Sequence, residues 1–113
     1  MRIYKVLLPS EWAEFERTGR FDGSPLDRSA GFIHCSSRDQ VAGVAECLFG
    51  DEPALIVVAI DAPALGESVR WEHAPEGGVF PHVYAFVPQS AVVGVYHVAG
   101  AGSVDETLSA HGA

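Results

Sequence analysis

Apolar positions in this chain fall into short runs divided by turn residues, and the runs alternate between strand-like and helix-like spacing. Ile3 to Leu8 is rich in β-favouring residues and stops at Pro9, which predicts a first strand over Arg2 to Leu8. A helix is expected to follow. Ser10 is its candidate cap, Glu11 and Glu14 suit the positive end of its dipole, Trp12 and Phe15 share one face, and Gly19 can end it. Arg20 to Ala30, with Gly23, Ser24, Pro25 and two aspartates, has the composition of a loop. Gly31 to Cys35 reads as a brief strand. Ser37 and Gln40 behind it have the spacing of a capping box, and Val41, Val44, Ala45 and Leu48 recur at i, i+3, i+4 and i+7 as one core-facing helical stripe ending at Gly50.

The second half is strand-dominated. Ala54 to Ile60 is apolar without interruption between Pro53 and Asp61, the pattern of a strand buried on both faces at the centre of a sheet. Ser68 to Glu72, Val79 to Val87 (interrupted by Pro81) and Ala91 to Val98 read as three more strands. The predicted order β-α-β-α-β-β-β-β indicates an α+β domain and argues against a regular doubly wound fold. One domain is expected over residues 1–99, with residues 100–113 as a flexible C-terminal tail in which Val104 to Leu108 forms at most a transient turn.

Composition narrows the function classes. Apolar residues at 48% against 19% charged suit a packed globule rather than a disordered chain. The formal charge of −8 repels phosphate backbones and anionic lipid, so no extended nucleic-acid or membrane face is expected. A pocket for one nucleotide remains open, with Arg2, Lys5, Arg17, Arg20, Arg28, Arg38 and Arg70 as the available cations. Cys35 and Cys47 form no C-x-x-C pair and read as buried reduced thiols. With no signal-peptide pattern and no membrane-spanning run, the expected location is the cytoplasm. Trp12, Phe15, Phe49 and Phe86 are expected in the core.

Two segments place polar groups inside apolar strands. One is Gly31-Phe32-Ile33-His34-Cys35-Ser36; the other is Trp71-Glu72 with Phe80-Pro81-His82-Val83-Tyr84. Residues two apart share a strand face, so His34 with Ser36, and His82 with Tyr84, are expected to project together. Histidine can exchange protons near neutral pH, Ser and Tyr hydroxyls both donate and accept, and Glu72 is a candidate base or cation stabiliser. Tyr4 and Lys5 are candidates to frame the same pocket by stacking and by contact with phosphate. The competing reading makes His34 and His82 core histidines satisfied by backbone carbonyls and Glu72 a solvated strand-end charge. No close metal-ligand spacing, no G-x-S-x-G elbow, no G-x-G-x-x-G and no Walker loop occurs, and Cys35 should face away from the His34 side.

The ordered set Ile3-Tyr4-Lys5, Glu11-Trp12, Gly31 to Ser36 (G-F-I-H-C-S), Gln40-Val41, Trp71-Glu72 and Phe80 to Tyr84 (F-P-H-V-Y) resembles the bacterial domain-of-unknown-function 952 family. That resemblance implies an ADP-ribosyltransferase-like fold, in which a split, bent, mainly antiparallel sheet clasps NAD. Within that group the RNA 2′-phosphotransferase branch is the most similar, with a Tyr-His strand where this chain has Tyr4-Lys5 and a His-Leu-Ser segment where it has His34-Cys35-Ser36. Lys5 thus stands in place of a ligand-seating histidine. The branch's catalytic arginines have no clear counterpart, and Glu72 does not align with the transferases' glutamate. The expected function is binding of NAD, ADP-ribose or a related nucleotide. His34, Glu72 and His82 are the candidate catalytic residues for transfer or hydrolysis at a ribosyl carbon, and Tyr4, Lys5, Ser36 and Tyr84 the candidate ligand contacts. In this scheme His34 or Tyr84 would hold the ribose and Glu72 would stabilise an oxocarbenium-like transition state. The alternative is a non-catalytic module on the same fold, recognising a small metabolite or a protein. A hydrolase or lyase acting on another small molecule is a third option, and an exposed edge strand could pair two copies, though no residue marks it.

Overall fold

In the computed structural model, which describes residues 1–113, the chain runs β1 (Arg2–Leu7), α1 (Pro9–Thr18), β2 (Arg20–Phe21), α2 (Pro25–Ala30), β3 (Ile33–His34) and α3 (Val41–Phe49). It continues through β4 (Leu55–Asp61), α4 (Ala62–Leu65), β5 (Val69–His73), β6 (Val79–Val83), β7 (Val87–Pro88), β8 (Val92–Val98) and α5 (Val104–Ala110). The fold is a small α+β domain whose strands form three antiparallel sheets, ordered β1-β4-β8, β3-β6-β5 and β2-β7. The first two meet through a single bridge between Tyr4 and Ser36, which exchange both backbone hydrogen bonds at 2.8 Å.

β4 is central because its sequence is apolar at every step. Ile56, Val58 and Ile60 point into one core with Ile3, Leu7, Trp12, Phe15, Ile33 and Val83, while Leu55, Val57 and Ala59 point into a second core with Tyr4, Val41, Ala45, Val104 and Leu108. Period-two alternation on a strand covered on both faces leaves no polar position. α1 ends at Gly19, whose φ of 80° is the left-handed cap conformation that glycine supplies without steric cost. Its start differs from expectation. Pro9 begins the helix, the Leu8 N–H donates to the Glu11 carboxylate at 2.8 Å, and Ser10 lies inside the first turn.

Four further corrections concern elements. The expected loop over residues 20–30 contains β2 and helix α2, which opens with a reciprocal box: Asp27 N–H donates to Ser24 Oγ and Ser24 N–H donates to Asp27 Oδ2. The expected strand from Val79 to Val87 is divided, because the chain leaves β6 after Val83 and re-pairs as β7 with β2. Residues 100–113 are not a loose tail. Val104 and Leu108 are fully buried against α3 and β8, and the Arg38 guanidinium holds Asp105, Ser109 and the Ala113 carbonyl. A Gly-, Ala- and Ser-rich composition hid an i, i+4 apolar pair on a helix whose partner face lies far away in sequence. Lastly, Phe86 is exposed beneath the Arg20 guanidinium, 3.7 Å from its ring centre, and not in the core. No helix is long and apolar enough to cross a membrane.

Candidate functional site

Antiparallel pairing of β3 with β6 sets His34 directly opposite His82. On the pleat, Ile33, Cys35 and Val83 turn into the core, which sends both imidazoles to the other face with their ring centres 5.9 Å apart. Phe32 stacks on His82 at 3.9 Å between centres and lies 4.6 Å from the His34 ring, so an aromatic surface backs the pair. Cys35 faces inward, and burial pushes its thiol up to about 12, with Asp27 adding to the rise and Lys5 opposing it. Burial thus favours the thiol over the thiolate there at neutral pH.

The two histidines are held alike, each by its Nδ1 on a carboxylate. His34 Nδ1 lies 2.7 Å from Asp27 Oδ1, and His82 Nδ1 lies 2.7 Å from Glu72 Oε1. Asp27 is the buried anchor of the first pair. Its carboxylate accepts from the Ser24 and His34 backbone N–H groups and from Lys5 Nζ, which itself also donates to the His34 carbonyl at 2.8 Å. Burial pushes the Asp27 carboxyl up, but the Lys5 charge and the hydrogen bonds from His34 and Ser24 outweigh it and hold the group below its ordinary value. Glu72 sits nearer the surface and takes the Tyr84 hydroxyl at 2.6 Å on the same oxygen as His82. The hydrogen bond from Tyr84, followed by that from His82, lowers the Glu72 carboxyl, and Glu72 in turn raises the Tyr84 hydroxyl. An ionised carboxylate can only accept, so each Nδ1 carries the hydrogen and each neutral ring keeps its Nε2 lone pair. Such a ring can take a proton at Nε2 and return it.

His34, Ser36 and His82 line one cleft of about 410 Å³, closed by Gly43, Val44 and Leu48 of α3, by Phe80, and by Ala74, Glu76 and Gly77 of the β5–β6 turn. Three other expected contacts lie elsewhere. Tyr4 is buried in the second core, where it stacks on nothing that enters from solvent. Lys5 is paired with Asp27 and borders a neighbouring cavity. Tyr84 stands beyond Glu72, under Arg70 at 4.8 Å, and borders a separate depression with Phe32. Glu72 therefore orients His82 from behind and does not line the cleft wall. Cys47, expected to be buried, is exposed and on that wall, as are Asp39 and Glu76. No three His, Cys, Asp or Glu side chains are grouped as metal ligands.

Asp27 and Phe32 belong to this cluster and were not among the expected site residues. The signal for Asp27 was present: Ser24-Pro25-Leu26-Asp27 has the spacing of a capping box with proline at the first helical position. Phe32 carried no signal beyond its place beside His34.

A family model described as Protein of unknown function (DUF952) matches residues 6–95. Among solved structures, the crystal structure of protein CC0527 from Caulobacter crescentus is 36% identical, over 87% of this chain and 86% of that one, with a TM-score of 0.82. The solution NMR structure of the same protein is 33% identical over 93% of this chain and 95% of that one, with a TM-score of 0.79. No curated protein matches this chain.

Proposed function

We propose a function for this chain, which belongs to the DUF952 family of proteins of unknown function: it binds a small polar metabolite in the cleft beside α3 and moves a proton on it between His34 and His82. The observation that carries this reading is the matched pair of Nδ1–carboxylate contacts, both 2.7 Å, which fixes two facing imidazoles in the same tautomer. Two structural histidines would gain nothing from a shared tautomer at a cleft mouth. In two acting as proton acceptor and donor, it leaves Nε2 of each ring as the nitrogen that takes up or gives the proton. In a hydrolysis, one Nε2 takes the proton of the attacking water while the other ring, protonated, delivers its proton to the leaving atom. The exchanged protons then re-equilibrate with solvent.

A ribosyl compound is the ligand class to test first, in an ADP-ribosyltransferase-like cleft. Two three-stranded antiparallel sheets joined only at Tyr4 and Ser36 support it, because Ser36 at that junction also lines the cleft. The ribosyl end rather than the diphosphate of NAD or ADP-ribose would sit at the histidines, since the wall carries Asp39 and Glu76 and no arginine or lysine. Glu72 then acts by positioning His82, not by facing an oxocarbenium ion.

The second reading, a non-catalytic binding module, is favoured by the same lack of cations and by the engagement of Glu72 with Tyr84 and His82. One experiment separates the two. Titration with NAD and with ADP-ribose at near-physiological salt, followed by backbone and imidazole NMR, is expected to shift His34, Ser36, Gly43 and His82 saturably. Chromatography of the same samples is expected to show ligand loss with the wild type and none with His34→Gln. Saturable shifts without turnover would identify the binding module, and no shift at millimolar ligand would remove the ribosyl class.

A further inference from the structure

α3 carries more apolar surface than its core contact uses. Of its expected stripe, Val41 and Ala45 are fully buried, but Val44 is half-buried and Leu48 is 51% exposed. Both border the histidine cleft, and both also border a second cavity of about 270 Å³ on the other side of His34 and Ser36. The two spaces share those four residues as a common border, with His34 between them.

The walls of the second cavity differ in character. Val6, Leu8, Pro25, Leu26 and Phe49 join Val44 and Leu48 there, and its two charged side chains are already engaged, Lys5 with Asp27 and Glu11 with the Leu8 N–H. On the histidine side the charges are carboxylates, Asp39 and Glu76. Neither wall offers a free cation, so a fatty carboxylate fits neither end and the diphosphate of a nucleotide would lie outside both. An amphipathic molecule with a neutral or positive head fits both.

We infer that the cavity formed by Leu26, Val44, Leu48 and Phe49 is a subsite for the apolar arm of the ligand whose polar, neutral or cationic head lies between His34 and His82. This inference rests on the reading of the His34–His82 cleft as a ligand site, and it narrows the substrate class from small polar metabolites to those with an apolar substituent. His34, bordering both spaces, meets the atom that joins head to arm.

The test is an NMR titration of the full chain at neutral pH with n-alkylamines from propylamine to octylamine, which are cationic there. His34 and His82 are expected to respond to every member. Leu26, Val44, Leu48 and Phe49 are expected to respond as the chain lengthens, with Kd tightening up to about three- to fourfold per added methylene until the cavity is filled. The variant Leu26→Ser alters one exposed side chain that borders the second cavity and not the histidine cleft, and so keeps the fold. It is expected to flatten the dependence on chain length while leaving the propylamine response intact. Histidine shifts with no dependence on chain length would overturn the subsite and leave the histidine cleft standing. Length-dependent shifts at the cavity without any histidine response would overturn the coupling of arm to head. No response at either place would overturn the subsite, while the ribosyl reading stands or falls on its own titration with NAD and ADP-ribose.

Discussion

Replacing Asp27 by asparagine removes one charge and little volume, yet it should be among the most damaging single changes in this protein. Oδ1 of Asp27 accepts from Lys5 Nζ at 3.2 Å, from the His34 N–H at 3.0 Å and from His34 Nδ1 at 2.7 Å, while Oδ2 faces Ser24 N–H at 2.9 Å and Lys5 Nζ at 3.1 Å. Either orientation of an amide turns its NH₂ toward donors. The Lys5 side chain, only 10% exposed, is left without a counter-ion. Breaking a buried pair by removing one member costs about 3–5 kcal/mol, a large share of the roughly 5–15 kcal/mol available to a domain. Urea denaturation at pH 7 measures it, with the m-value checked for constancy. Lys5→Met combined with Asp27→Asn removes both charges and should be more stable than Asp27→Asn alone, with a coupling energy on the order of 1–3 kcal/mol. A loss below about 1 kcal/mol for Asp27→Asn, or additive effects in the double variant, would refute the role given to this pair.

The same carboxyl sets an acid limit. Because its folded value is lowered, the stability it contributes is fully present above the ordinary aspartate range and is lost as pH falls through and below that range, so melting temperature should drop there in the wild type and far less in Asp27→Asn. Leu108→Ala should cost about 2–5 kcal/mol in chemical denaturation, as for any fully buried leucine, and a negligible cost would contradict the packing of α5. Glu72→Gln should lower the raised Tyr84 hydroxyl toward its ordinary value in an ultraviolet titration, since Glu72 causes the rise; an unchanged tyrosine titration would place Tyr84 away from Glu72.

Where local pattern and burial agree, the fold was readable from the residues. β4 is the clearest case, since a strand covered on both faces must be apolar throughout; the sequence marked His34 and His82 as polar positions in apolar runs, but only the pairing of β3 with β6 shows that they face each other. Long-range placement was not readable. Leu48 obeys the same periodicity as Val41, yet no element covers it, and periodicity shows which residues share a face without showing whether that face is covered. Val104 and Leu108 fail in the opposite sense, since their burial depends on α3, some sixty residues away. Tyr4 and Lys5 were expected on one pocket, but adjacent strand residues face opposite sides, and the strand sends Tyr4 to one core and Lys5 toward the other. Asp27 was hidden because a capping aspartate and a histidine-orienting aspartate look the same in sequence. Here one carboxylate does both.

Everything proposed for the cleft depends on the state of two rings, and long-range ¹H–¹⁵N spectra of the imidazoles read that state directly. The account predicts that the neutral forms of both His34 and His82 carry their hydrogen on Nδ1 with Nε2 unprotonated, unlike His73 and His97, which make no side-chain contact with a carboxylate. A neutral form of either His34 or His82 with its hydrogen on Nε2 would contradict it, because the ring would then offer the cleft a fixed donor instead of a site that takes up and returns a proton.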